Sequence, residues 1–363
     1  MRGNSLASLA VLAIMVVCLL PVALPADQPI RLEQTLKVDP AADFKVIPRD
    51  FCITSDGIFI FPDYGAGNVK LLYRDGNSLK FLKNLGKKYG KDGFARPMYC
   101  LYKDDDISIL GIIDYGAKSL FVFERKGKEE FEKFKTVECR KLGYDMEFAG
   151  DGEQLIVSGY TTDGATPYDL YAINIHNKKN EINYLLPSHR KYYMDSHEDY
   201  QREYFVKQSL PAIGVDAFCD IQGDNVFFAW QGALKFMRIH LPTKDMAVFG
   251  KEQSRDIEAE KRLGELYKAG EFAEARQLIK ERTYVKDIFA TTNYVYLIYQ
   301  PANTYSLRLM AYTPEGQFVA DVEIPGNPGM PMCLDKTTGE LYSVKKEGDN
   351  TKFAVLKYKI NVK

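Results

Sequence analysis

The sequence contains few of the residues and motifs on which common enzyme classes depend. It has only four histidines, His176, His189, His197 and His240, and their spacing does not favour a histidine-ligated zinc site. Gly-x-Ser-x-Gly, P-loop and dinucleotide-binding fingerprints are absent. Because 48 Lys and Arg residues face 49 Asp and Glu residues, the formal net charge is -1, without the basic excess of a nucleic-acid binder. The sequence therefore shows no catalytic motif and argues against a nucleic-acid partner.

Long hydrophobic runs are also scarce, and the only one lies at the N-terminus. Arg2 precedes an apolar run from Leu6 to Leu20, and Ala26 offers a small residue for cleavage. This pattern predicts a signal peptide over residues 1–26 and an exported protein, periplasmic or extracellular. An uncleaved anchor and a lipoprotein linked through Cys18 are the alternatives. No later segment is apolar for long enough to span a bilayer.

A pair made of a bulky apolar residue and a small residue recurs six times. The pairs are Phe51-Cys52, Tyr99-Cys100, Phe148-Ala149, Phe218-Cys219, Phe289-Ala290 and Met332-Cys333. Short apolar segments separated by turn residues surround each pair, which predicts four strands per repeat and an all-β, six-bladed β-propeller over residues 27–363. The sixth repeat shows three strands. The segment Ile30–Leu36 can supply the fourth and close the ring.

Two long intervals between repeats contain insertions. The first covers about residues 188–209 and is polar and aromatic. The second covers about residues 251–282, where apolar residues recur at helical spacing on both sides of Ala269-Gly270. The second insertion resembles one tetratricopeptide-type helical pair. Such a hairpin cannot bury its own apolar face, so it packs either on its own propeller or on a protein partner.

The cysteines favour a structural interpretation. Five remain after Cys18, an odd number, and four of them occupy the repeated small position that Ala149 and Ala290 fill elsewhere. A position that accepts Cys or Ala requires a small buried side chain. Because a disulfide needs Cα atoms within about 7 Å, cysteines on different sheets are predicted to stay free and to belong to the core.

Several repeats resemble a known family. The residues are Gly93, Pro97 and Cys100 at the start of one repeat, Asn327–Asp335 at another, and the triplets Asp63-Tyr64-Gly65 and Asp114-Tyr115-Gly116. This pattern resembles the NHL-type repeat of six-bladed β-propellers, in particular the uncharacterised exported propellers of bacteria. Propellers of this kind bind ligands, bind proteins, hydrolyse lactones or act as amidating lyases. The resemblance therefore implies a fold and leaves the activity open.

Charged residues precede the repeated small residue in five of the six repeats, while Met330 stands in the sixth. The charged set is Arg49, Asp50, Arg96, Asp145, Glu147, Asp216 and Asp287. Because the innermost strand of each blade lines the central channel, we expect these residues at the channel mouth as a ligand site. One interpretation is a cation such as Ca²⁺ held by Asp50, Asp145, Asp216 and Asp287. The structural alternative is that the aspartates cap turns and pair with Arg49, Arg96 and Lys286.

Two functions remain open from the sequence. The favoured one is an exported binding module for a ligand, or for a protein partner recognised through the insertion 251–282. The alternative is a metal-dependent hydrolase or lyase of the lactonase type with its site at the channel mouth. The sequence does not decide whether the protein is an enzyme.

Overall fold

The computed structural model describes most of the chain after the predicted signal peptide. The described residues are 28–86, 93–104, 108–138, 145–150, 152, 154–158, 168–175, 182–187, 217–231, 234–251, 262, 265–266, 269–349 and 351–362. The predicted signal peptide and the predicted insertion 188–209 lie outside these residues.

The described residues form antiparallel four-stranded units that follow one another along the chain. Unit 1 consists of β2 (Cys52–Ile53), β3 (Ile58–Asp63), β4 (Asn68–Asp75) and β5 (Ser78–Leu85). Unit 2 consists of β6 (Pro97–Lys103), β7 (Ile109–Asp114), β8 (Ser119–Arg125) and β9 (Phe131–Glu138). Unit 3 consists of β10 (Asp145–Ala149), β11 (Gln154–Ser158), β12 (Tyr168–Asn174) and β13 (Ile182–Pro187).

The second half of the chain repeats this arrangement. Unit 4 consists of β14 (Ala217–Gln222), β15 (Asn225–Trp230), β16 (Lys235–His240) and β17 (Met246–Gly250). Unit 5 consists of β18 (Tyr284–Ala290), β19 (Val295–Gln300), β20 (Arg308–Tyr312) and β21 (Phe318–Glu323). Unit 6 consists of β22 (Met332–Asp335), β23 (Glu340–Lys346), β24 (Phe353–Ile360) and the N-terminal strand β1 (Ile30–Val38).

The strand β1 completes unit 6, as the sequence predicts for Ile30–Leu36. It pairs antiparallel with β24, from Ile30 opposite Ile360 to Lys37 opposite Ala354. The end of β1 also pairs in parallel with β5, where Lys37 and Val38 face Ser78 and Leu79. The two pairings join unit 6 and unit 1 into one eight-stranded sheet.

The hydrophobic core is divided into clusters, each between two consecutive units. One cluster joins units 1 and 2, and the next three join units 2 and 3, units 3 and 4, and units 4 and 5. The cluster around Leu309 and Leu341 joins units 5 and 6, and the one around Phe59 and Val355 joins units 6 and 1. The fold is therefore all-β and propeller-like, with every unit packed against two neighbours.

The triplet Asp114-Tyr115-Gly116 connects a second strand to the loop before its innermost strand. The buried Asp114 carboxylate accepts backbone N–H groups from Ala95 at 2.6 Å, Arg96 at 2.8 Å and Ala117 at 2.9 Å. A Cβ atom on Gly116 would lie 2.8 Å from the Ala95 Cβ. The aspartate thus holds the loop against the turn, and the glycine allows the close approach.

The triplet Asp63-Tyr64-Gly65 does the same in unit 1. Asp63 accepts the N–H groups of Lys45 and Ala66, each at 3.0 Å. A Cβ on Gly65 would lie 2.9 Å from the Lys45 Cβ. Both triplets that carry the family resemblance therefore have the same structural role.

The second predicted insertion is only partly described. The helix α1 covers Phe272–Lys280, and its Ala275 is fully buried. Glu274 on this helix lies 3.7 Å from the guanidinium group of Arg262. Most of residues 252–268, which would form the first helix of the predicted pair, lie outside the described residues, so the helical pair stays a prediction. Within the described part of the chain, no helix is both long and apolar enough to cross a membrane.

Candidate ligand-binding channel

The innermost strands of the units surround a cavity of about 630 Å³. Residues of β2, β6, β10, β14, β18 and β22 line it, together with the turns that follow β6, β14 and β22. A second cavity of about 130 Å³ lies at the other ends of these strands and reaches Arg49, Lys286 and Met330. We call the two cavities together the channel, with a wide end at the turns and a narrow end at Arg49.

Three of the predicted aspartates lie where the two cavities meet. Asp50, Asp145 and Asp287 line both of them. Glu147 lines the larger cavity only. These carboxyl groups therefore lie inside the channel, deeper than the mouth at which the sequence places them.

Carboxylates in the channel connect the innermost strands of neighbouring units. Asp50 of unit 1 accepts the backbone N–H of Cys100 in unit 2 at 2.9 Å. Asp145 of unit 3 accepts the N–H of Cys219 in unit 4 at 2.8 Å. One purpose of the acidic residues is thus to satisfy backbone donors that have no strand partner on the channel side.

Asp220 makes a similar connection, and it also holds a lysine. Its carboxylate accepts the N–H of Ala290 in unit 5 at 2.6 Å. Lys336, from the turn after β22, donates from Nζ to the Asp220 carboxylate and to the carbonyl oxygen of Ile221, the latter at 3.0 Å. The Asp220 side chain is 3% exposed. An ammonium group is therefore seated inside the channel against a buried carboxylate.

Burial is the main cause of the pKa shifts in the channel. It raises the pKa of Asp50 to about 7 and that of Asp145 to about 7, in opposition to the N–H groups that these carboxylates accept. Burial also raises the pKa of Glu147 well above its ordinary value, and neighbouring acids such as Asp220 add to this effect while Lys336 opposes it. The pKa of Asp287 is raised for the same reason, with Asp145 as the largest charged contributor. Burial thus favours the neutral form of each of these four carboxyl groups.

The same acidic groups raise the pKa of Lys336, which favours its charged form. Burial lowers its pKa, but the charges of Asp220 and Glu147 raise it more, so the pKa lies above its ordinary value. The ammonium group stays charged at neutral pH.

The four described cysteines are free, as expected, and they also line the channel. Cys52, Cys100 and Cys219 are buried, and Cys333 is partly buried. Burial raises the pKa of the Cys100, Cys219 and Cys333 thiols, so they are poor nucleophiles. Ala149, at the corresponding sequence position, packs between units 3 and 4 in the same cluster as Cys219. Cys139 lies outside the described residues.

The predicted cationic residues have aromatic neighbours. Arg49 and Arg96 lie over the ring of Tyr64, at 5.4 Å and 5.8 Å from its centroid, and Lys286 lies 4.4 Å from the centroid of Tyr284. None of the ion pairs among the described residues involves these three cations. The expected pairing of the aspartates with them is therefore not seen in this part of the chain.

The predicted site residues divide into three groups. Arg49, Asp50, Asp145, Glu147 and Asp287 line the channel. Arg96 lies beside Tyr64 and is not among the residues that line either cavity. Asp216 lies outside the described residues.

Sequence reasoning missed Asp220 and Lys336. Asp220 follows Cys219, at a position where Ile53, Leu101 and Leu334 follow the repeated cysteine in other units. Asp220 could have been identified from the sequence because it is charged at a position that is apolar in these other units. No sequence pattern could have identified Lys336, because its partner Asp220 is 116 residues away in the chain.

A metal site can be examined only in part. Among the residues that the structure describes, no group of three or more His, Cys, Asp or Glu side chains is arranged to hold a metal ion. The predicted set of Asp50, Asp145, Asp216 and Asp287 includes one residue beyond that part, so it stays a prediction.

Comparison with known proteins gives similarity of fold only. No protein-family model and no curated protein matches the chain. A structure of a Bacteroides fragilis protein described as exported has a TM-score of 0.59 at 11% identity, over 93% of this chain and 97% of that chain. A streptogramin B lyase has a TM-score of 0.48 at 12% identity, over 92% and 98% of the two chains. The virginiamycin B lyase of Staphylococcus aureus has a TM-score of 0.45 at 10% identity, over 92% and 90%. The Bacteroides protein shares the fold, and the two lower scores carry no argument about activity.

Proposed function

We propose that the chain is an exported, six-bladed β-propeller, closed by β1, that binds a small polar ligand in its central channel. Core clusters between all consecutive units, including units 6 and 1, support the closed ring. The apolar run from Leu6 to Leu20 supports cleavage of residues 1–26 and export to the periplasm or the extracellular space. The Bacteroides fragilis protein of similar fold, which is described as exported, is consistent with this location.

One observation carries the binding function. A cavity of about 630 Å³ is lined by buried and partly buried carboxyl groups and by two lysines, and different units contribute them. Cavities of about 300–1,000 Å³ with a few convergent polar groups are typical of small-molecule sites. The ligand-binding residues that we propose are Arg49, Asp50, Arg96, Asp145, Glu147, Asp216 and Asp287, to which we add Asp220 and Lys336. Arg96 lies over the same Tyr64 ring as Arg49.

Filling the wide end of the channel tests this function. Thr337 is exposed and lines the larger cavity, so Thr337→Trp is expected to obstruct ligand entry without disturbing the core. Native mass spectrometry of the protein purified from its source should show a small-molecule adduct that Thr337→Trp loses. Glu315→Trp, at an exposed turn between β20 and β21, is the control and should keep the adduct. An adduct of equal abundance in both variants would contradict binding in the channel.

The second candidate is a metal-dependent hydrolase or lyase of the lactonase type. Its support is the set of aspartates at the junction of the two cavities, which offers the oxygen ligands that Ca²⁺ prefers. In this proposal Asp50, Asp145, Asp216 and Asp287 hold the ion. Stoichiometric Ca²⁺ in purified protein, lost in Asp216→Asn and Asp287→Asn, would support it. An unchanged melting temperature after addition of EDTA would contradict it.

We also propose that the insertion 251–282 binds a protein partner. The support is two exposed glutamates at the start of the described helix, Glu271 directly before α1 and Glu274 in its first turn. Deletion of residues 252–282 should leave the β-sheet signal in circular dichroism unchanged and abolish capture of the partner. Equal capture by the deletion variant would refute this role.

A further inference from the structure

The residues that line the larger cavity are strongly unequal in charge. Among the described residues they include eight Asp or Glu side chains and two lysines, and no arginine or histidine. The whole chain, by contrast, is nearly balanced at a formal charge of -1. The acidic excess is thus concentrated in the channel, where protein surrounds the charges and weakens their screening by salt.

The channel already holds one ammonium group. Lys336 donates from Nζ to the Asp220 carboxylate and to the Ile221 carbonyl oxygen. One carboxylate and one carbonyl oxygen therefore accept hydrogen bonds from this ammonium group, and a ligand amine would need acceptors of the same kind. The lysine of the protein itself shows that the cavity accommodates such a group.

Glu147 is left without an equivalent partner. Its side chain lines the cavity, and no hydrogen bond or ion pair among the described residues includes its carboxyl group. Burial of a carboxylate that accepts no hydrogen bond is costly, and burial raises the pKa of Glu147. A second cation beside Glu147 would remove this cost.

The two ends of the channel differ in charge. The wide end includes Asp104, Asp224 and Asp335, whereas the narrow end includes Arg49 and Lys286. An acidic entrance raises the local concentration of cations and repels anions. A positively charged molecule is therefore favoured at the wide end.

Resting on the channel-binding function proposed above, we propose that the ligand is a small organic cation with at least one primary ammonium group, which binds beside Glu147. An organic amine is favoured over a metal ion because the channel already holds the ammonium group of Lys336 against one carboxylate and one carbonyl oxygen. An amine needs only one carboxylate and one or two further acceptors, as Lys336 demonstrates.

Isothermal titration calorimetry with 1,4-diaminobutane, 1,4-butanediol, succinate and CaCl₂ tests this ligand class. These probes separate a diamine, a neutral diol of the same length, a dianion of the same length and a metal ion. We expect the diamine to bind, and the diol and succinate to bind at least tenfold more weakly or not at all. Glu147→Gln should weaken diamine binding at least tenfold. Glu315→Gln, the same change at an exposed turn, should leave it unchanged.

The outcomes separate this inference from the binding function. Succinate, the diol or Ca²⁺ could instead bind more tightly than the diamine, with binding that Thr337→Trp abolishes. That result would support binding in the channel and would contradict an amine as the ligand. Absence of diamine binding, or diamine binding that Glu147→Gln does not weaken, would also overturn it. The small-molecule adduct lost in Thr337→Trp tests the channel function independently of which probe binds.

Discussion

At the scale of single residues, a carboxyl group in the channel both accepts a backbone hydrogen bond and carries a shifted pKa, as Asp50 shows. Asp50 accepts a backbone N–H from the next unit, and it also faces other acids, of which Asp145 is the largest charged contributor to its pKa. The hydrogen bond favours the charged form, whereas burial favours the neutral form and prevails. The stability of the ring should therefore depend on the pH through this group.

Asp50→Asn tests this dependence. In the folded protein the pKa of Asp50 is about 7, whereas in the unfolded chain it is near its ordinary value of about 4. Between these values the folded state holds a proton that the unfolded state has lost, so the free energy of unfolding falls as the pH rises from about 4 to 7. Asparagine cannot ionise and still accepts the Cys100 N–H. Urea denaturation at pH 5 and pH 8 should show a loss of stability that is smaller in Asp50→Asn than in the wild type by about 1–3 kcal/mol.

Asp75→Asn, at an exposed hairpin turn, is the control for Asp50→Asn and should follow the wild type at both pH values. An equal loss of stability in the wild type and in Asp50→Asn would show that Asp50 is already ionised at pH 5 in the folded protein.

Residue-level prediction from the sequence reached furthest where the repeat was informative. It placed Asp50, Asp145, Glu147 and Asp287 together at the channel mouth, and they line the channel at a deeper level, while their role in ligand binding stays a prediction. It predicted free cysteines in the core, yet Cys52 and Cys100 also line the cavity because side chains of the innermost strand have channel space on one side. The pair between Lys336 and Asp220 could not be predicted, since it joins units that are distant in the sequence and depends on the geometry of the ring.

At the scale of elements, the two Asp-Tyr-Gly triplets explain how units 1 and 2 hold the loop that precedes the innermost strand. The aspartate holds the preceding loop by its backbone N–H groups, and the glycine lets that loop come close. The sequence identified these triplets as turn signals, but the loop that they hold is 18 or 19 residues earlier in the chain. A pattern of neighbouring residues cannot show which earlier loop the aspartate will bind.

Gly116→Ala tests the close approach. A Cβ at this position would lie 2.8 Å from the Ala95 Cβ and 3.1 Å from the Arg96 nitrogen, so the loop must move. We expect thermal or urea denaturation to show a loss of about 1–3 kcal/mol, which is typical of overpacking. Gly127→Ala is the matched control because its Cβ would meet nothing closer than 3.6 Å. Equal stability of the two variants would show that the loop adjusts freely.

At the scale of the whole molecule, the units depend on their neighbours because the hydrophobic core lies between them. The pairing of β1 with β24 joins the two ends of the chain, and the buried Leu36 of β1 contributes to the core between units 6 and 1. The sequence predicted this pairing because repeat six showed three strands and β1 was unassigned. It did not predict the parallel contact of β1 with β5, which depends on the relative position of two units.

Removal of residues 28–38 tests the dependence of the ring on β1. The variant should have a markedly lower melting temperature and should self-associate, because the edge of β24 loses its partner. A synthetic peptide with the sequence of residues 28–38 should restore the melting temperature as its concentration rises. A peptide of the same composition in scrambled order is the control. Restoration by both peptides would show that specific pairing with β24 is not the cause.

The β1–β24 pairing also sets the order in which the protein can be completed. Ribosomal synthesis begins at the N-terminus, so β1 emerges early and waits until β24 has followed, more than three hundred residues later. Pairing of β1 with β24 therefore follows the synthesis of units 1 to 5, which can pack against one another as they emerge. Until β24 has formed, the backbone groups of β1 that it will pair with lack that partner, so this edge is open to association with other chains throughout that interval.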